Sequence, residues 1–290
     1  MIKKQLLYLF FALSALAGCS SREEQGIVNM RDLGAYMVSD SLHVRHGLIF
    51  RSAHLSDASS EDLQLLASLP LTKVIDFRLE PEKQGRTDRL PEGSEYIALP
   101  IDATGNAAAQ DAESKQASRK KFDIRKIIVM IAFNEQAQQV ARTMYHTLFF
   151  NPECQSQYAQ FFREIITNNH GATLFHCSQG KDRTGVAAAL LLAALGADKE
   201  TIVSDFDASN AIYVDDIRKY TRRVRLFGGG EEEVAVVNAF IGVNTDNFVK
   251  ELDEIVEQYG SMDNYLKGPI GLTDEDIKTL RDRYLKSAAL

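Results

Sequence analysis

The chain contains only three cysteines, Cys19, Cys154 and Cys177, among 290 residues. A framework of several disulfides is therefore excluded as the basis of the fold. Cys154 follows Asn151 and Pro152, which suit the cap and the first turn of a helix, and we expect it to be a structural residue there. A disulfide between Cys154 and Cys177 in an oxidising compartment stays an open alternative, and it would mask the second thiol.

The sequence also lacks an excess of positive charge. Its 33 lysines and arginines face 40 acidic residues, which gives a formal net charge of -7 at pH 7. Proteins that bind nucleic acid by neutralising many phosphates carry the opposite balance, so we expect no nucleic-acid partner. An anionic ligand must then be attracted by a local basic pocket. The basic run at residues 218–225 could extend such a pocket, but a solvated helix face is the simpler interpretation.

The apolar stretch near the start is too short to cross a bilayer. Residues 1–18 combine an early pair of lysines, an apolar core and small residues, which is typical of an export signal. Their end, "LAGC", resembles the bacterial lipobox, in which Cys19 would be acylated. The resemblance implies an exported bacterial lipoprotein with a lipoprotein signal peptide over residues 1–18. Lipidation at Cys19 would attach residues 19–26, a polar tether, to a membrane on its periplasmic or outer-surface side.

The remainder of the chain predicts one domain over residues 27–287. The segments "TKVIDFR", "EYIALPI" and "ATLFHC" predict strands, and helical patterns lie between and after them. The run "VAAALLLAAL" is apolar on every face, so its helix must be buried against a sheet. This alternation predicts an α/β fold with a mostly parallel sheet, with an extra helical insertion and C-terminal helices. Residues 104–121 have few large apolar side chains and predict a mobile insertion.

Three local features sharpen this prediction. The segment "LHVRHGLIFRSAHLS" predicts a short hairpin around Gly47. Ser59 or Ser60 is expected to cap an amphipathic helix that Pro70 stops. Residues 122–150 have a continuous helical pattern.

The segment "HCSQGKDRTG", residues 176–185, lies between a predicted strand and the buried helix. Backbone amides of such a loop and the start of the helix converge on one point, which makes an anion site. The same positive field lowers the pKa of Cys177 and makes it a nucleophile. Arg183 offers a planar pair of donors suited to phosphate, and Gly180 and Gly185 allow close backbone approach to an oxyanion. The predicted phosphate-binding residues are Ser178, Gln179, Gly180, Lys181, Thr184 and Gly185.

Two further residues of this segment, His176 and Thr184, are expected to support Cys177. The hydroxyl of Thr184 can donate to the sulfur and ease its departure. His176 is more plausible as an orienting partner behind the loop than as a metal ligand, because no ligand cluster accompanies it in the sequence. We therefore expect no metal at His176.

This loop resembles that of the cysteine-dependent protein tyrosine phosphatase superfamily, and most closely the atypical bacterial family with a Gly-Lys-Asp-Arg-Thr loop. The segments "NMRDLGAY", "GLIFRSAHLS", "VIDFR" and "YGSMDNYLKGPIGLTDEDIKTLRDRYL" extend the resemblance to about residues 27–286. It implies a three-layer tyrosine-phosphatase-like fold. The sequence departs from the family pattern at Ala35, Phe206 and Asp207, which bears on substrate preference more than on chemistry.

The resemblance implies hydrolysis of a phosphate monoester through a phosphocysteine at Cys177, with Arg183 neutralising the transferred group. It also implies that the reaction needs no metal and no cofactor. Three aspartates are candidates for the general acid. Asp182 lies inside the loop, as in myotubularin-like lipid phosphatases, and Asp102 follows a strand, where dual-specificity phosphatases carry their acid. These two are equally favoured, and Asp76 stands behind them because it could instead pair with Arg78 or Arg31.

The implied substrates are phosphotyrosine proteins. Phosphoinositides or inositol phosphates form a second class, because Lys181 adds a cation beside Arg183. A phytase-like inositol polyphosphate phosphatase and a catalytically inactive phosphate-binding lipoprotein stay open as alternatives. The intact Cys177, Asp182 and Arg183 argue against the inactive protein, and the Arg-Thr pair argues against a sulfur-transfer protein of the rhodanese kind.

Overall fold

The computed structural model describes residues 26–39, 41–104 and 130–287. Its main sheet has five strands in the order β1, β4, β7, β5, β6. Pairing is parallel from β4 through β7 and β5 to β6, and only β1 is antiparallel. The five strands are β1 (Arg31–Asp32), β4 (Ile49–Ser52), β5 (Leu71–Asp76), β6 (Glu95–Ala98) and β7 (Ala172–His176). The mostly parallel sheet of the α/β prediction is therefore confirmed.

Helices cover both faces of this sheet and complete three layers. Phe50, Val74 and Leu174 pack on one side with Leu66 of a single helix, α1 (Ser60–Ser68). The opposite face packs against the larger core, which contains most of the other helices. The helices that follow α1 are α2 (Glu80–Lys83), α3 (Glu135–Phe150), α4 (Pro152–Thr167), α5 (Arg183–Leu195), α6 (Lys199–Ile212), α7 (Val214–Leu226), α8 (Glu231–Ile241), α9 (Thr245–Tyr259), α10 (Met262–Lys267) and α11 (Asp274–Tyr284). Of these, α3 to α6 and α9 to α11 contribute to the larger core.

The predicted hairpin around Gly47 is wrong. The strand before it, β3 (Leu42–Val44), pairs with β2 (Met37–Ser39) and with β8 (Leu285–Ser287), whereas β4 after it belongs to the main sheet. Gly47 adopts φ 78° and its amide donates to the Asp32 carboxylate at 2.7 Å. The turn at Gly47 therefore leads from a small three-stranded sheet to the main sheet. The reason is that β3 pairs with β8, from the far end of the chain, instead of with β4.

Helix starts follow local capping chemistry. Ser59, rather than Ser60, caps α1, and its hydroxyl and the Asp62 carboxylate form a reciprocal capping box. Asn151 caps α4 as expected, with Pro152 in the first turn. Asn134 starts α3, so the continuous helix predicted up to residue 150 is interrupted there. The part of that prediction at 122–129, like most of the insertion at 104–121, lies outside the described residues.

The helices α7 and α8 pack against each other. Their apolar faces make a separate core with residues of α3, in which Val224 of α7 and Val237 of α8 are buried. Across the residues that the structure describes, no helix is both long and apolar enough to span a bilayer.

Candidate active site

The loop at 177–182 leaves the central strand β7 and leads into α5. Strands on both sides of β7 hold its end in register, with Ser52 of β4 and Asp76 of β5 both opposite His176. The helix α5 begins at Arg183, three residues before its apolar run, so that its first turn joins the loop. The loop therefore lies at the carboxyl edge of the parallel strands, where α/β proteins place their sites.

The two loop glycines are needed for packing inside the protein. Gly180 has φ 66°, and a Cβ there would lie 2.2 Å from the carbonyl oxygen of Ser52. A Cβ on Gly185 would lie 2.8 Å from the ring of Phe206. Both make room for β4 and α6 in the structure, and their expected close approach to an oxyanion stays a prediction.

Side chains beneath the loop bind its carbonyl oxygens. The amide of Asn29 donates to the carbonyls of Gln179 at 3.1 Å and Gly180 at 2.9 Å. Arg51 donates to the Gly180 carbonyl at 2.8 Å, and the Tyr213 hydroxyl donates to the Gln179 carbonyl at 2.9 Å. In a trans peptide the N–H points away from the carbonyl, so the amides of the next residues face the opposite side of the loop. This arrangement presents amide donors to an anion.

That opposite side is a cavity. The loop contributes Cys177, Ser178, Gln179, Lys181, Asp182 and Arg183 to its lining. Its walls come from Ala103 after β6, from Ala141 and Met144 of α3, and from Ala239 and Phe240 at the end of α8. Most of the predicted site residues therefore meet in one cavity, although they were proposed from a linear motif.

Cys177 is buried and lines this cavity. Burial works to raise the pKa of its thiol, but the charge of Arg183 and the influence of Thr184 outweigh burial and hold that pKa below the ordinary value. The negative charge of Asp182 opposes this effect less strongly. Cys177 is thus favoured as a thiolate, the nucleophilic form of cysteine.

Arg183 is held by a carboxylate that no motif in the sequence identifies. Its two terminal nitrogens each lie 2.7 Å from one oxygen of Glu82 on α2, and the same group donates to the carbonyl of Phe77 at 3.1 Å. The hydroxyl of Ser178 also donates to Glu82, at 2.5 Å. Glu82 therefore connects Ser178 at the start of the loop with Arg183 at its end. Its distance from them in the sequence gave no sign of this contact.

Asp182 lines the cavity and its side chain is 18% exposed. The hydroxyl of Tyr145 donates to one of its oxygens at 2.9 Å, and the ammonium of Lys181 donates to the other at 2.8 Å. Lys181 also donates to the carbonyl of Ala239 at 3.2 Å, which connects the loop to α8. The extra cation predicted at Lys181 is present in the lining, with its charge shared with Asp182.

The other two acid candidates are placed differently. One oxygen of Asp102 accepts hydrogen bonds from the backbone and hydroxyl of Thr104, and its neighbour Ala103, rather than Asp102, is in the cavity lining. Asp76 is fully buried and paired with Arg78 at 2.8 Å. This ion pair is the structural alternative that we left open for Asp76.

His176 lies behind the loop in a buried network. Its Nδ1 atom lies 3.2 Å from the carbonyl oxygen of Cys177, and its Nε2 atom lies 3.1 Å from Asp88. Asp76, Asp88 and His176 are close enough together to ligate an ion. However, Arg78 donates to both carboxylates, so a guanidinium already supplies the positive charge there.

Cys154 and Cys177 both have free thiols in the described part of the chain. Cys154 is buried in the first turn of α4, and its thiol donates to the carbonyl of Asp102 at 3.4 Å. Burial, followed by the charge of Asp102, raises the pKa of Cys154 to about 12. Its environment is therefore that of a structural thiol.

The basic run at 218–225 forms part of α7, and most of its charges are solvated and paired locally. Arg218 lies 3.7 Å from Asp215, and Arg225 lies 2.6 Å from Glu231. The lining of the cavity contains residues of α8 and none of this run.

The fold and this cavity define an enzyme of the tyrosine-protein phosphatase class. Residues 23–286 match the model of the tyrosine phosphatase family, and the chain belongs to that family. A protein of Cupriavidus necator described as a tyrosine-protein phosphatase is 31% identical over 260 residues, covering 89% of this chain and 86% of its own. The triple specificity protein phosphatase PtpB of Mycobacterium tuberculosis is 26% identical over 278 residues, covering 90% and 97%.

Solved structures show a weaker similarity. A crystal structure of TpbA from P. aeruginosa matches with a TM-score of 0.29 and 18% identity, over 68% of this chain and 90% of that one. A structure of TpbA in complex with pTyr matches with a TM-score of 0.30 and 15% identity, over 79% and 98%.

Proposed function

We propose that this phosphatase hydrolyses phosphotyrosine in proteins through a phosphocysteine at Cys177, with Asp182 as the general acid. The observation that supports this most directly is that Cys177, Asp182 and Arg183 line one cavity on one loop. Arg183 is oriented in advance by Glu82, so its donors do not have to be ordered when the substrate binds.

In the first displacement the Cys177 thiolate attacks phosphorus. The S–P bond forms as the P–O bond to the tyrosine breaks, and Asp182 gives its proton to the departing phenolic oxygen. The loop amides and the guanidinium of Arg183 stabilise the charge on the three equatorial oxygens.

In the second displacement water attacks the phosphocysteine. The Asp182 carboxylate takes a proton from this water as the S–P bond breaks, and inorganic phosphate leaves. Thr184, which works to lower the pKa of the Cys177 thiol, would stabilise the thiolate that departs.

Asp182 is preferred to Asp102 and Asp76 because of position. A general acid must reach the leaving oxygen within hydrogen-bond distance. Asp182 is in the cavity lining beside Cys177, whereas neither Asp102 nor Asp76 is in that lining, and Asp76 is fully buried.

We propose phosphoinositides or inositol phosphates as a second substrate class. The supporting observation is the Lys181 ammonium in the cavity lining, which can turn from Asp182 toward a second phosphate of the substrate. A relative is named a triple specificity phosphatase, and we extend specificity beyond phosphotyrosine to this chain as part of the proposal.

The test is release of inorganic phosphate from a phosphotyrosine peptide, the matched phosphoserine peptide and a soluble phosphoinositide. We expect the phosphotyrosine peptide to be cleaved, and Cys177→Ser to lose turnover on all substrates. Lys181→Met should reduce phosphoinositide turnover more than phosphotyrosine turnover. Turnover that Cys177→Ser retains contradicts the mechanism, and equal losses in Lys181→Met contradict the second substrate class.

We also propose that the enzyme is an exported lipoprotein anchored through Cys19. The support is the "LAGC" sequence after an apolar core, and these residues lie outside the described part of the chain. Cys19→Ala should abolish acylation and release the exported chain from membranes. Mass spectrometry of the mature N-terminus checks this, and an unacylated Cys19 in the wild type contradicts it.

A further inference from the structure

A buried ion pair lies directly beneath the loop. Arg51 at the end of β4 and Asp205 on α6 are both excluded from solvent, and a terminal nitrogen of Arg51 contacts a carboxylate oxygen of Asp205. The other terminal nitrogen of Arg51 donates to the carbonyl of Gly180 at 2.8 Å. The guanidinium of Arg51 therefore spans the distance between α6 and the loop.

Asp205 also organises the second donor to that carbonyl. Its other oxygen accepts a hydrogen bond from Arg31 at 2.8 Å. Arg31 in turn donates to the side-chain oxygen of Asn29 at 2.7 Å, and this fixes the direction of the Asn29 amide nitrogen toward Gly180. One carboxylate thus holds both of the groups that donate to the Gly180 carbonyl.

We propose that Asp205 and Arg51 are positioning residues for catalysis, which fix the peptide between Gly180 and Lys181 so that its N–H faces the phosphoryl group. The reason is geometric, since a planar trans peptide whose carbonyl is held beneath the loop must present its N–H above it. Misdirected donors lose most of their effect on a transition state, because their value depends on being oriented beforehand. The inference rests on the proposed phosphocysteine mechanism.

The charge of Arg51 adds to this role. Arg51 is buried and contacts the loop at the Gly180 carbonyl, so it adds a positive charge behind the loop to those of Lys181 and Arg183.

A role in stability alone explains the Arg51–Asp205 ion pair less well than a role in positioning the loop. Buried ion pairs are often no more stabilising than apolar side chains of similar volume. The donors here converge on loop carbonyls, with Asn29 and Arg51 both reaching Gly180. Arg51 also lies 3.5 Å from the carbonyl oxygen of Lys181.

The variants Arg51→Lys and Asp205→Asn test the proposal, with Arg281→Lys as the matched control. Arg281 donates to the carbonyl of Ala194 at the far end of α5, so its replacement also removes an arginine-to-carbonyl hydrogen bond but leaves the loop untouched. Each change is made in the active enzyme and in the Cys177→Ser background. The measurements are thermal unfolding, kcat and KM, inhibition by orthovanadate, and binding of inorganic phosphate to the Cys177→Ser protein by calorimetry.

We expect kcat and the affinities for orthovanadate and phosphate to fall roughly 10- to 100-fold in Arg51→Lys and Asp205→Asn. Arg281→Lys should change thermal unfolding without changing these affinities. If the two test variants lower the unfolding temperature but keep wild-type orthovanadate and phosphate affinities, the pair is structural and the inference fails. If Asp205→Asn does not fold, Asn29→Ala replaces it with the same expected losses.

The failure of this inference can be told from that of the proposed function. Turnover by Cys177→Ser alone overturns the mechanism, whatever the other variants do. An inactive Cys177→Ser protein combined with unchanged phosphate affinity in its Arg51→Lys version overturns only the positioning role.

Discussion

The two terminal nitrogens of Arg183 contact the two carboxylate oxygens of Glu82, each at 2.7 Å. Burial works to raise the pKa of Glu82, but the charge and hydrogen bonds of Arg183 and the hydroxyl of Ser178 outweigh it and hold the pKa below the ordinary value. Glu82 therefore stays ionised and keeps the guanidinium plane in one orientation. Such two-pronged, charge-assisted contacts are directional as well as strong.

The first prediction is that Glu82→Gln lowers kcat/KM by roughly 10- to 100-fold, because one oxygen that fixes Arg183 becomes an amide donor. The loss should be similar for good and poor leaving groups, since Glu82 does not supply a proton. Glu80→Gln is the matched control, because it changes an exposed carboxylate on the same helix. Steady-state kinetics check this, and equal activities in the two variants would show that the orientation of Arg183 does not depend on Glu82.

The second prediction concerns the general acid. A phenolate of low pKa departs without a proton, so only poor leaving groups need the acid. Asp182→Asn should therefore cost roughly 100-fold on ordinary aryl phosphates and much less on an activated nitrophenyl ester. Asp102→Asn should show no such dependence on the leaving group.

The kcat values of both variants across a series of aryl phosphates check this prediction. A loss in Asp182→Asn that is equal for every leaving group would mean that Asp182 only positions the loop. A leaving-group dependence in Asp102→Asn would transfer the role to that residue, and uniform losses in both would point to Asp76 or to a proton from solvent.

The third prediction is a difference in reactivity between the two described cysteines. Because Arg183 and Thr184 hold the pKa of Cys177 below the ordinary value, its thiolate persists as the pH falls until the pH passes that lowered pKa. Iodoacetamide should therefore alkylate Cys177 below the usual thiol range. Cys154, whose pKa burial raises to about 12, should stay unmodified in the native protein.

Alkylation rates as a function of pH, measured by peptide mass spectrometry, check this difference. Replacing Arg183 with methionine removes the main favourable charge, so the profile of Cys177 should move to higher pH. A profile for wild-type Cys177 at the pH of an ordinary thiol would contradict the third prediction.

The fourth prediction separates two reasons why a loop position requires glycine, namely a positive φ and a close contact with neighbouring backbone. Gly271 has φ 77° and open space where a Cβ would lie, so Gly271→Ala measures the backbone cost alone, roughly 1 to 2 kcal/mol. Gly180 has φ 66° and in addition lies against the Ser52 carbonyl. Gly180→Ala should therefore cost more in urea unfolding and abolish activity, and a cost equal to that of Gly271→Ala would show that the close approach to β4 is relaxed easily.

The sequence was sufficient to predict the loop because its reactive residues are contiguous. Cys177 directly follows a strand and Arg183 begins a helix, and the apolar patterns of both elements are strong, so the local elements define the site. Glu82 could not be found in this way, since it lies 101 positions from Arg183 and meets it only because α2 follows the neighbouring strand.

The errors have the same physical origin. The turn at Gly47 has the local signals of a hairpin, but β8, from the far end of the chain, pairs with β3 instead. The apolar residues before and after Asn134 have the same helical spacing in the sequence. This spacing alone therefore did not reveal that a new helix starts at Asn134. Asn29 and Arg51 were recognised as parts of a resemblance, while their hydrogen bonds to the loop carbonyls required the folded chain.

The most direct test of the account is rapid-quench mass spectrometry of the enzyme mixed with a phosphotyrosine peptide. We predict that the peptide containing Cys177 carries a phosphoryl group early in turnover, that this group disappears as inorganic phosphate is released, and that Cys177→Ser shows neither. A phosphoryl group on another residue, or turnover in Cys177→Ser, would contradict the assignment of Cys177 as the nucleophile.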